Sequence, residues 1–327
     1  TSATASGANA TAWGASANAS GANATAIGLG SLASNQNTIA IGTNTGASNV
    51  GGIAIGTGNT HGAINAMAMG SGATLGGYST NSIAFGVGAN VNSGVGDLSN
   101  DAIALGTNAT AKGNSTIAIG NASTANKTNA MAMGLSSVAS GVNATALGVG
   151  AQATSTCATA IGYNAVATNM YTTAVGPNAK ATGILSTAMG NNTTASGRAT
   201  LALGTGASAT GESSIAAGLL ANASGATAIA LGANATSSNA SAVAIGNGSK
   251  AQGMNSVALG GDSVASANAY TIAVGGGNAT GDYSMAIGKG STTTGGNSIA
   301  LGNNATGAGS SIALGQNSNA SNYAISL

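Results

Sequence analysis

Ile117-Ala118-Ile119-Gly120, Met131-Ala132-Met133-Gly134 and Val257-Ala258-Leu259-Gly260 are three copies of one short pattern. From Gly106 to Gly260 its glycine returns at a constant spacing, as Gly106, Gly120, Gly134 and Gly148 show, without a slip. Each time it follows an apolar or threonine residue, an alanine, and an apolar residue. A fixed period decides an architecture before local propensities do, and a repeat that contains a helix needs roughly 20 residues or more. Fourteen residues suit two short strands and two tight turns. The reading is an all-β parallel roll, or solenoid, with one 14-residue coil per repeat.

The same pattern runs outward in both directions. Gly14, Gly28, Gly42, Gly56 and Gly70 are 14 apart, and the spacing then widens to 16 at Gly86 and to 20 at Gly106. After Gly260 the spacings are 15, 13, 14 and 13, ending at Gly315, which makes 22 repeat glycines. The chain therefore reads as a single domain over 1–327 of about 22 coils, irregular at 70–106. Stacked at about 4.8 Å each, such coils would extend roughly 105 Å. The extra residues of the longest spacing fall near Val95-Gly96-Asp97-Leu98-Ser99-Asn100, a turn-like composition. Insertions in repeat proteins become loops on one face, often the binding face. Val95, Asp97, Leu98 and Asn100 are thus a candidate surface-contact loop.

The position two before each repeat glycine is alanine at all 22 sites, among them Ala118, Ala132, Ala160, Ala202 and Ala258. Strand alternation sends Ile39 and Ile41 to one side of their strand and Ala40 to the other. If the paired large residues fill the coil, the alanine column faces out, where only the close approach of another backbone explains a wall of methyl groups. Trp13 and Phe85, which stand just before a repeat glycine, are then core substitutions. The inverse assignment puts the large residues at an intersubunit contact. Either way a lone chain would expose an apolar stripe beyond a few hundred Å², so a closely packed or intertwined oligomer is expected. The alanines are a structural column in both cases, intersubunit or core. The second half of the coil is in register too: Ala109 and Ala111 follow Gly106 as Ala165 and Ala167 follow Gly162, with Gly113 and Asn169 at the next turn.

Composition excludes several classes. Of 327 residues 55 are glycine, one is proline and only 3% are charged. Phased bulky residues argue against a disordered low-complexity chain, and scarce proline suits a backbone committed to a ladder. No 18-residue apolar run is present, so no transmembrane helix is expected. A net charge of +1 gives no electrostatic case for nucleic acid. The first residue is Thr1, and the chain reads as a fragment or processed part of a longer product. Cys157, the single cysteine, rules out an internal disulfide framework. It lies more than six coils from His61, the single histidine, so the two form neither a nucleophile–base pair nor a zinc site. Asp97, Asp101, Glu212, Asp262 and Asp282 are scattered, and no Gly-rich segment is followed by the lysine of a phosphate loop. No enzyme activity, cofactor or metal is expected. Asn-x-Ser/Thr triplets such as Asn108-Ala109-Thr110 match a glycosylation acceptor, although turn chemistry accounts for them. The threonine column Thr145, Thr159, Thr173, Thr187 raises ice binding as a second class, unless its face is interior.

Units such as Asn255-Ser256-Val257-Ala258-Leu259-Gly260 and Asn297-Ser298-Ile299-Ala300-Leu301-Gly302 resemble the YadA-like head repeat of trimeric autotransporter adhesins. The resemblance covers almost the whole chain. It implies a left-handed parallel β-roll, three chains to a head, displayed on the surface of a Gram-negative cell through an anchor not seen in this sequence. It also implies a non-enzymatic adhesin that makes multivalent contacts with host matrix, abiotic surfaces or neighbouring cells; the surface ligand, whether protein, glycan or abiotic, is unknown. Similar repeats occur in some phage tail fibres, which makes a virion shaft or receptor-binding part the alternative. A structural extracellular filament is third.

Overall fold

The computed structural model describes residues 2–77, 79–91, 98–266 and 269–327. The chain forms two compact units, Thr1–Met170 and Tyr171–Leu327, both built from the same coil. Each coil holds a three-residue strand, a turn, a two-residue strand and a second turn. Ile117–Ile119, then Thr124–Ala125, then Met131–Met133 show the cycle in the first unit. Leu201–Leu203, Ser208–Ala209 and Ile215–Ala217 show it in the second. Among the described residues strand pairing is parallel and advances by one coil: Ile117, Ala118 and Ile119 stand opposite Met131, Ala132 and Met133, and Leu201, Ala202 and Leu203 opposite Ile215, Ala216 and Ala217. The 14-residue period of the sequence is thus the register of two parallel sheets, one along each wall of the coil.

The turns join the same ladder. The repeat glycine donates its N–H to the residue before the previous repeat glycine, as Gly120 does to Leu105 O at 2.8 Å. Two residues later Ala122 donates to Thr107 O at 2.9 Å. At the opposite turn Asn129 donates to Asn114 O at 2.9 Å. Burying backbone without such partners would be costly, so even the corners are paired from coil to coil. Stacking this tight fixes the glycine. An added Cβ on Gly120, which has φ +128°, would stand 2.6 Å from Gly134 O.

The alanine column lies inside the coil. Ala118, Ala132, Ala160, Ala202 and Ala258 are fully buried, while the large residues on either side of each are half-buried or exposed. This overturns the assignment that fills the coil with the large residues, and the reason is girth. Four positions per coil point inward: in the coil after Gly120 they are Ser123, Ala125, Ala130 and Ala132. Two walls of two and three residues, closed by short turns, leave room between them mainly for the side chains of alanine, serine and threonine. The buried hydroxyls turn back onto their own corners, Ser123 Oγ donating to Gly120 O at 2.9 Å and Thr116 Oγ1 to Gly113 O at 3.0 Å. Larger interior residues occur where the coil is longer. Leu75 and Val91, both buried at the place of the second-wall alanine, belong to the two lengthened coils, Gly70 to Gly86 and Gly86 to Gly106. Asn59 is buried in a coil of regular length, Gly56 to Gly70, and is satisfied by hydrogen bonds, donating to Ile55 O at 2.6 Å and accepting from Ala73 N at 3.0 Å.

Candidate binding surface

Once the alanines are inside, the outer faces of the two walls differ in kind. The three-residue strands present large apolar residues outward: Ile103, Ile117 and Met131 in one column, Leu105, Ile119 and Met133 in the next. The second unit repeats this with Leu201, Ile215 and Ile229 beside Leu203, Ala217 and Leu231. The two-residue strands present mainly polar groups. Thr110 and Thr124 are neighbours in the first unit, and Thr194, Ser208 and Asn222 in the second. Contiguous apolar surface on this scale marks a contact site, whereas the opposite wall is suited to water.

Trp13 and Phe85 stand on the apolar wall, 72% and 45% exposed, so neither is a core substitution. Thr145 and Thr159 pair in register on that same outer wall, as do Thr173 and Thr187. Their column is therefore outside the coil, but it is interleaved with the large apolar columns. Tyr163 is exposed directly after its repeat glycine. Tyr270 and Tyr283 stack at a turn, with ring centroids 5.2 Å apart and planes at 7°.

Charges sit at turns and on the polar wall. Lys180 and Lys250 are exposed on two-residue strands, and Arg198 meets Glu212 one coil on at 3.4 Å with both side chains exposed. Such a pair contributes about 0–1 kcal/mol. Among the described residues no group of three His, Cys, Asp or Glu side chains could hold a metal ion, and no helix is long and apolar enough to cross a membrane. Cys157 occupies a left-handed turn position at φ +54° and lies 4.0 Å from Asn143 Nδ2. His61 lies in the strand Thr60–His61, opposite Ala47 and Leu75. The two remain several coils apart within the first unit.

Of the candidate loop, Val95 and Asp97 lie outside the described residues. Leu98 is exposed. Asn100 is engaged in the stack: its Oδ1 accepts from Thr80 N at 3.1 Å, and its own N–H donates to Asn114 Oδ1 at 3.1 Å.

A cleft in the second unit has no counterpart among the sequence-based candidates. It has a volume of about 730 Å³ and is lined by Gly261, Asp262, Gly275, Gly276, Lys289, Gly290, Asn303 and Asn304. Its signal in the sequence is the shortened spacing from Gly275 to Gly288.

The chain matches the YadA head domain repeat over residues 3–31, 33–59, 99–123, in overlapping copies over 125–179 and 181–278, and over 279–305. Among solved structures, the collagen-binding domain of the Yersinia adhesin YadA is similar at 20% identity. That match covers 56% of this chain and 82% of the other, with a TM-score of 0.24. The comparison with curated proteins gives no match.

Proposed function

Because this chain belongs to the family of YadA head domain repeats, we propose that it is a non-enzymatic adhesin head. Three copies associate through their apolar walls and make multivalent contacts with an extracellular surface. The observation that carries this reading is the contrast between the walls of a single coil: Ile117 and Ile119 face out on one side, Thr124 on the other. The interior is already full of small residues, so the large ones have no function within the coil. Burying them between chains recovers roughly 25 cal/mol per Å² of apolar surface. Thin units with little interior of their own need such association. The polar walls and turn edges are then left to meet the ligand at a bacterial surface. The insertion that carries Leu98 is one such edge, and the buried alanines Ala118, Ala132, Ala160, Ala202 and Ala258 act as the structural column that keeps each coil thin.

Multi-angle light scattering tests the assembly, with three chains expected; a folded monomer would sink the reading. Particles coated with the assembled protein should bind at least one of matrix proteins, abiotic surfaces or particles of their own kind. End-to-end growth without any such binding would favour a structural filament. Binding confined to bacterial cells would favour a virion fibre.

A further inference from the structure

In a regular coil the second residue after the repeat glycine adopts a left-handed conformation, and its N–H closes the ladder onto the coil before. Gly248 donates to Ala233 O at 2.8 Å, and Asp262 to Asn247 O at 2.9 Å. The coil that starts at Gly275 has no such residue. Its turn runs Gly275-Gly276 at φ +66° and +82°, and the chain then enters the interior at buried Gly277. The ladder resumes one coil later, where Gly290 donates to Gly276 O at 3.2 Å and Asn304 to Lys289 O at 3.0 Å. Two consequences follow from the missing residue. The column of turn side chains is interrupted from Asp262 to Asn304, since Gly290 has none, and the cleft of about 730 Å³ opens there. In addition, the acceptor that the missing N–H would have satisfied, Gly261 O, receives no hydrogen bond from the described residues.

We propose that this cleft is a saccharide-binding site that takes one neutral hexose or N-acetylhexosamine unit. The chemistry is matched on both rims. Gly261 O and the Asp262 carboxylate accept hydrogen bonds from hydroxyl groups. The Lys289 ammonium and the Asn303 amide donate to hydroxyl or acetamido oxygens, while Asn304 gives its Nδ2 to Asn317 Oδ1 at 3.3 Å and turns its Oδ1 toward Gly290 as a further acceptor. A vicinal diol offers both a donor and an acceptor at each position, so it can use the two rims at once. One positive and one negative side chain at the cleft leave no preference for a strongly charged ligand. Glycines at Gly261, Gly275, Gly276 and Gly290 keep the walls low enough for a ring to lie against backbone, and the volume is of the size usual for small-molecule sites. The proposal gives the adhesive reading a ligand class and rests on that reading for its biological sense.

Saturation-transfer NMR on the purified protein, with a panel of neutral hexoses and N-acetylhexosamines and their β-linked disaccharides, tests it without cells or surfaces. Failure here would leave the light-scattering result for the assembly untouched. At least one panel member should receive saturation. Asp262→Ala and Lys289→Ala, both at exposed positions, should each weaken that binding about tenfold through loss of a charge-assisted hydrogen bond. Insertion of one asparagine between Gly276 and Gly277 restores a 14-residue coil, supplies the missing N–H to Gly261 O and narrows the cleft, and should abolish binding while the protein melts no lower than before. Absence of transfer from every panel member would overturn the proposal. So would transfer that is unchanged in all three variants, or transfer that disappears on adding EDTA, which would make the cleft a cation site.

Discussion

Replacing Ala202 by leucine, with Leu203→Ala as its partner experiment, separates the inside of the coil from the outside. Ala202 is fully buried, stands in register with Ala188 and Ala216, and shares the interior with Ala195 and Ala209 on the other wall. Leucine brings three further carbons into a space lined by the methyl groups of Ala188, Ala195, Ala209 and Ala216 and by buried Thr193, Thr200 and Ser214. Overpacking a well-filled interior costs about 1–3 kcal/mol where neighbours can yield. Here they are short side chains, mostly alanine, fixed to a backbone stacked at strand spacing, so the cost is expected at or above about 3 kcal/mol. In a stack where each coil touches only its neighbours, the damage concentrates in the coils on either side. Urea titration followed by far-ultraviolet circular dichroism should show the loss, and hydrogen exchange should rise first across residues 188–216. Leu203→Ala removes surface from the outer wall, so coil stability at fixed assembly should change by no more than about 1 kcal/mol while the association constant falls. The reverse outcome would refute the inside-out assignment: Ala202→Leu within about 0.5 kcal/mol of the parent and Leu203→Ala several times more damaging to the isolated coil.

Gly120→Ala should be more harmful than a typical surface change, because φ is +128° and the new methyl would press on Gly134 O; limited proteolysis should then cut near 120–134. Leu185 holds φ +59° on an exposed turn, a conformation that costs a leucine roughly 1–2 kcal/mol. Leu185→Asn should therefore raise the urea midpoint, and no change would mean that the leucine is compensated by a contact between chains. Arg198→Ala removes the one ion pair found among the described residues; stability should move by less than about 1 kcal/mol, and the urea midpoint of the parent should barely respond to added salt.

The coil itself is legible because its period is a backbone quantity. A strict 14-residue return of Gly120, Gly134 and Gly148 can only mean that successive turns lie over one another, and the registers follow it residue by residue. The inside of the coil is harder to read. Both assignments of Ile117-Ala118-Ile119 bury something apolar, and alternation alone is symmetric between them. The deciding signal lies at the other two inward positions, where Ser123 and Ala130 are also small; four small residues per coil leave nothing large to be inside. The cleft is half legible. The shortened spacing after Gly275 marks where a residue is missing, but only the ladder shows that the loss falls on the turn opposite Gly261 O rather than on the other turn. The place of Asn100 is hidden for a related reason: its amide looks free in a loop-like composition, yet it binds two neighbouring coils.

Hydrogen bonding that advances by one coil at a time has a consequence for the gene. Within either unit, deleting or duplicating 14 codons would bring two coils together whose turns, walls and interior positions already agree. The protein imposes almost no cost on such a change, so natural variants should differ in length by whole coils. A slip that is not a multiple of 14 codons shifts inward positions outward. It survives where a corner absorbs the change, as at Gly275-Gly276, where glycine lets the corner be cut short. Irregular spacings are therefore scars of events that the fold tolerated in few places.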